Sequence, residues 1–129
     1  MTNADRFQTW YEEVWNKANE SYITEALHPD AIIHGLQIEA GKTGPEAFIP
    51  FDKSFRGQFP DVKVKVQPIF SGDGFEAAEC SVTATNASGK TTNFSGLSIA
   101  KYVDGKLVEG WNGFDFLTMY QQLGFKLSE

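Results

Sequence analysis

Cysteine is nearly absent: Cys80 is the single thiol among 129 residues, so no internal disulfide can form and no thiolate pair is available for a zinc site. Histidine is almost as scarce. His28 and His34 fit neither an HExxH helix nor a facial triad, so neither a metal nor a cofactor is expected. Basic side chains are outnumbered, 11 against 17 acidic, which removes the cationic footprint on which nucleic-acid binding rests. No run approaches the ~18 apolar residues of a membrane span. Residues 1–5 carry neither a basic start nor an apolar stretch, so the chain reads as soluble and cytoplasmic, with no membrane partner. The glycines form no phosphate loop or dinucleotide fingerprint, and no serine lies in a Gly-x-Ser-x-Gly elbow. This length suits a single domain, 1–129, with one core that can enclose a pocket.

Aromatic side chains are plentiful: eleven Phe, four Tyr and three Trp. Such rings either fill a core or line a cavity for a flat ligand, and composition does not choose between the two. Phe7, Trp10, Tyr11, Val14, Trp15 and Ala18 recur at helical spacing with Glu12, Glu13, Asn16 and Lys17 between them, which predicts an amphipathic helix. Ser21 to Leu27 predicts a second, shorter helix, with His28-Pro29-Asp30 as its exit turn. Ala31 to Ile38 has strand character. Pro45 then opens a third helical pattern through Phe48, Phe51, Phe55 and Phe59, with a kink or a break expected at Pro50.

From Asp61 the period falls to two. Val62, Val64 and Val66 alternate with Lys63, Lys65 and Gln67. A second strand carries Phe75, Ala77, Ala78, Cys80, Val82 and Ala84 as its apolar set. A third, Thr92 to Val103, is partly apolar on both faces, as in a central strand. Asp104-Gly105 signals a tight hairpin into Leu107 to Phe114, after which Asp115 caps a last helix that ends at Gly124. Helices first and an antiparallel meander afterwards indicate an α+β fold. Bulges near Pro68 or Gly110 would reverse the alternation of faces.

The stretch from Phe7 to Trp15 and Asn16, followed by Ala31 to His34 and Gly35, resembles the opening of SnoaL-like proteins of the nuclear transport factor 2 superfamily. Asp104 to Trp111 and Asn112 resembles their closing hairpin, and Gln122-Leu123-Gly124 their C-terminal helix. The resemblance spans nearly the whole chain. It implies a cone in which a bent mixed or antiparallel sheet wraps around the long N-terminal helix. It also implies a homodimer formed through the outer sheet face and an internal pocket for a small apolar or aromatic molecule. Characterised members include polyketide cyclases, and related branches include ketosteroid isomerases, dehydratases and epoxide hydrolases, usually working without a metal. Fold alone does not choose among these reactions.

One departure bears on chemistry. The cyclase pattern has an aspartate acting as general acid after the last strand's tryptophan, where this chain has Asn112. An amide holds a carbonyl or hydroxyl by hydrogen bonds but exchanges no proton near neutral pH. A histidine expected on the preceding strand is replaced by Ser98. The remaining catalytic candidates are His34, as base or orienting group, and Asp115, which either titrates in a pocket or caps the last helix, with Asn112 as hydrogen-bonding partner. Trp15, Asn16, Tyr22, Phe48, Phe51, Phe55, Phe94 and Phe114 are the candidate ligand contacts, each with a core or capping role as the alternative. Two functions stay open: metal-free acid–base catalysis of cyclase, isomerase or hydratase type, and a non-catalytic binding or dimeric assembly module.

Overall fold

The computed structural model describes residues 1–126. Helix α1 (Asn3–Trp10) starts with a reciprocal cap: Thr2 Oγ1 accepts from Asp5 N–H and Asp5 Oδ2 accepts from Thr2 N–H, both at 3.0 Å. The helix then widens into a π-helical turn, Tyr11–Asn16, and ends where Ala18 takes φ 56°. The widening leaves the carbonyls of Val14 and Trp15 without main-chain donors, and the Arg56 guanidinium, reaching across from another helix, donates to both.

Next come α2 (Glu20–Ala26) and β1 (Leu27–His34), then α3 (Gly44–Gln58) and the long strands β2 (Asp61–Gly72), β3 (Phe75–Thr85), β4 (Thr91–Val103) and β5 (Lys106–Phe114). Helix α4 (Phe116–Gln122) closes the described chain. The strands form one sheet ordered β1-β5-β4-β3-β2, in which β1 is parallel to β5 and every other pair is antiparallel. The cone is therefore a mixed sheet wrapped around α1, and the architecture is α+β. Two of the three hairpins, β2/β3 and β4/β5, turn on Asp-Gly pairs with positive φ at both residues, Asp73-Gly74 and Asp104-Gly105. That geometry matches the twist of the strands it joins.

Three expectations are corrected. His28-Pro29-Asp30 is part of β1 and not an exit turn. The β1/β5 register breaks between Leu27 and Ile32, and on this edge strand Pro29 has no ladder hydrogen bond to lose. The same strand stops at His34, short of Ile38, because Gly35 turns the chain with φ 84°. On β3 the inward set is Glu76, Ala78, Cys80, Val82 and Ala84, so Phe75 and Ala77 face outward. The adjacent alanines hid the true phase. Helix α3 runs unbroken through Pro50, so the break expected there does not occur. Bulges do occur at both suspected places, where Ile69 and Val108 are the extra residues.

The core lies between the concave sheet face and the helices. Small inward residues, Ala78, Cys80, Ala84 and Ala100, leave room for Phe7, Trp10, Tyr11 and Trp15 of the first helical segment. At Gly96 a Cβ would stand 2.5 Å from Phe114 Cα, so this residue permits the close β4/β5 approach at the bend of the sheet. The convex face keeps Ile32, Ile69, Phe70, Leu97, Ile99 and Val103 exposed.

Candidate functional site

A cavity of about 390 Å³ opens between α3, α4 and the segment after β1. On α3, Ala47, Phe51, Ser54, Phe55 and Gln58 form one stripe at i, i+4, i+7, i+8 and i+11, all facing the cavity. Helix α4 adds Phe116, Met119 and Tyr120, while Gly35, Gln37 and Glu39 close the side beyond β1 and Glu46 and Pro50 complete the α3 edge. Phe51 and Phe55 stack with centroids 5.8 Å apart and planes at 20°. Aromatic walls with a few placed polar groups are the usual make-up of a small-molecule pocket, and this volume lies within the common range of about 300–1,000 Å³.

Deeper in the cone the space is nearly filled. A void of only about 20 Å³ remains beside Trp10, Trp15, Leu27, Ile33, Phe48, Leu107, Gly110 and Asn112. Trp15 packs against Tyr11, Phe51, Phe55 and Phe114, and its buried indole N–H has no partner in the described protein.

The three catalytic candidates are not assembled around the cavity. In β1, Ile33 points inward and His34 outward, a consequence of the two-residue strand period. His34 Nε2 lies 2.7 Å from Glu109 Oε2 on the convex face, and its ring stacks on Trp111 at 5.5 Å. Asn112 does face inward, but its amide donates to the His34 carbonyl at 2.9 Å, extending the β1/β5 contact past the end of the ladder. Asp115 caps α4, accepting from Thr118 N–H at 3.0 Å and Thr118 Oγ1 at 2.6 Å. Those bonds hold its carboxyl below the usual carboxylate range, so it is an ionised cap.

Of the expected ligand contacts, Phe51 and Phe55 line the cavity. Asn16 is fully engaged elsewhere: its amide accepts from Val64 N–H at 2.6 Å and donates to Val64 O at 3.1 Å, pinning the first helical segment to edge strand β2. Phe48 packs on Trp10, and Phe94 and Phe114 sit behind Phe116. Tyr22 belongs to a separate hollow of about 190 Å³ with Arg6 and Tyr102. The polar lining, Gln37, Glu39, Glu46, Ser54 and Gln58, was missed along with all of α4's contribution. Ser54 and Gln58 interrupting the aromatic stripe of α3 were the available signal.

Other buried polar groups are quiet. Burial raises the Tyr11 hydroxyl well above the usual phenol range, with Cys80 and Ser98 as its polar neighbours. Burial likewise pushes the Cys80 thiol up to about 11. Among the described residues no three of His, Cys, Asp and Glu converge closely enough to hold a metal ion. No helix among them is long and apolar enough to cross a membrane.

The sequence profile of the SnoaL-like polyketide cyclases matches residues 5–123. The chain belongs to that family. No curated protein matches this SnoaL-like chain. Among solved structures it is similar to IdmH of Streptomyces antibioticus, a candidate polyketide cyclase, with 24% identity over 97% of this chain and 100% of that one, TM-score 0.82. A candidate polyketide cyclase of Acidithiobacillus ferrooxidans matches at 21% identity over 93% of this chain and 92% of that one, TM-score 0.81. A third, from Bacillus cereus, matches at 27% identity over 94% and 77%, TM-score 0.77. The SnoaL-like fold is thus shared along almost the full length.

Proposed function

We propose that this protein binds a small apolar or aromatic molecule in the cleft between α3 and α4, in the cytoplasm. The observation that carries the reading is the 390 Å³ cavity walled by Phe51, Phe55, Phe116 and Met119, set against an inner cone with only about 20 Å³ left. A ligand that binds only the folded state raises the melting temperature, by about 2.7 kcal/mol of stability at a hundred times Kd. A thermal-shift screen with aromatic polyketides, steroids and lactones tests this, paired with Ser54→Trp, which fills the cleft. The ligand-induced shift is expected to vanish in that variant; a shift that survives it puts the site elsewhere.

A second reading, cyclase-type catalysis, is favoured by membership of the SnoaL-like polyketide cyclase family. The side chains at the cavity able to exchange a proton are Glu39, Glu46 and Tyr120. His34, Asn112 and Asp115 would have to leave their present partners to join them. Turnover of a bound ligand that is lost in Glu39→Gln or Glu46→Gln supports this reading, and binding without any product over pH 5–9 leaves the protein a binding module.

We also propose a homodimer through the convex face. Leu97 and Ile99 stand exposed at 55% and 39% on central strand β4, with Ile69, Phe70 and Val103 nearby. Contiguous apolar surface of this kind usually marks an interface. Sedimentation should give twice the chain mass, and Leu97→Glu should give the monomer; a monomeric parent protein refutes it.

A further inference from the structure

Building on the cleft reading, we infer that its ligand is a cation, a flat apolar body that bears a protonated amine. The charged side chains among the cavity-lining residues are Glu39 and Glu46, and no Lys, Arg or His lines it. Glu46 is held by Lys42 at 2.8 Å, whereas Glu39 forms no ion pair among the described residues. Lys42 is not part of the lining; its ammonium pairs with Glu46 and also acts on Glu39 from outside the cavity, so one cation stands against two carboxylates and a net negative charge remains.

The neutral polar groups of the lining, Gln37, Ser54, Gln58 and Tyr120, serve donors and acceptors alike and do not reverse this bias. The lining rings of Phe51, Phe116 and Tyr120 carry a negative quadrupole on their faces, which also attracts an ammonium. A carboxylate or phosphate entering the cleft would meet two lining carboxylates offset by the single ammonium of Lys42 outside the lining, in a chain whose formal net charge is already -6. The cleft is therefore selective by charge as well as by shape, and it disfavours acidic aromatics of the same size.

Three flat fluorescent probes of similar area separate the possibilities at pH 7 and low salt: 9-aminoacridine as cation, 9-anthracenemethanol as neutral body, anthracene-9-carboxylate as anion. Each is titrated against the parent protein, Glu39→Gln, the double variant Glu39→Gln/Glu46→Gln, and Glu12→Gln, an exposed carboxylate on the first helical segment that controls for overall charge. The cation is expected to bind about tenfold tighter than the anion, the combined effect of two partly screened carboxylates. That gap should shrink to about twofold in the double variant and stay open in Glu12→Gln, with the neutral probe unaffected throughout. Neutral binding without a cation preference, or a gap that Glu12→Gln closes equally, overturns the charge inference and leaves the cleft reading intact. Failure of all three probes to bind overturns the cleft reading and this inference with it.

Discussion

Asn112→Asp isolates the role of the amide that stands where the family resemblance expects an acid. The Asn112 amide donates to the His34 carbonyl at 2.9 Å, in a half-buried position at the end of the β1/β5 contact. A carboxylate has no hydrogen to donate, so the substitution removes one hydrogen bond and sets two acceptors against each other. The bond itself contributes about 1 kcal/mol, and the repulsion adds a similar amount, giving a loss of roughly 2 kcal/mol near neutral pH. For a chain of this size that is a fall in Tm of roughly 6–10 °C. Protonation restores a donor, so the introduced carboxyl titrates above its unfolded value of about 3.9. A raised folded-state pKa means that the unfolded state ionises first. The penalty is therefore small below about pH 4, grows as pH rises through the folded-state pKa, and is fully present at pH 7. Urea denaturation of parent and variant between pH 4 and 8 measures it. Equal stability at pH 7, or a difference that does not change with pH, would refute the account of Asn112 as a strand latch.

Other consequences are as direct. Cys80 is fully buried, so a thiol reagent should label it only at the rate of unfolding. Because burial raises the thiol from 9.0 to about 11, its contribution to stability should be lost as pH climbs through that interval, which a Cys80→Ala comparison reads out. Gly110→Ala places a methyl no closer than 3.8 Å to its neighbours, beside the small inner void, and should leave stability unchanged or raise it by up to about 1 kcal/mol. Gly35→Ala would drive Cβ to 1.8 Å from Asn112 O at φ 84° and should cost about 2–4 kcal/mol by the same denaturation assay. The Asp52 carboxyl is raised by burial, with Arg56 opposing, so Asp52→Asn should gain on the parent as pH rises above 3.8; a constant difference by calorimetry would contradict that burial.

Much of the fold was legible because periodicity and turn chemistry are local. The apolar spacing from Phe7 to Trp15, the alternating valines of β2, the Asp104-Gly105 hairpin and the Asp115 cap each follow from a few neighbouring residues. The errors fell where two local rules competed. Pro29 reads as a turn former, yet an edge strand tolerates it, and consecutive alanines at 77 and 78 gave β3 no phase.

The candidate site was far less legible. Family resemblance drew attention to His34 and Asn112, but which way a strand residue points depends on the register of the whole sheet, and His34 fell on the outer face. Phe51 and Phe55 were identified because their helical spacing is local. Phe116, Met119 and Tyr120 were not, because only the docking of α4 against α3 makes them a wall.

The sequence by itself determined the elements, the α+β class and an aromatic excess large enough for either a core or a pocket, since all three rest on residue type and near-neighbour spacing. Tertiary structure decided how those rings were divided. Long-range packing spent Trp10, Trp15 and Phe48 on filling the cone, set Phe51 and Phe55 in the wall of the cleft, and brought Glu39 and Glu46 to its rim.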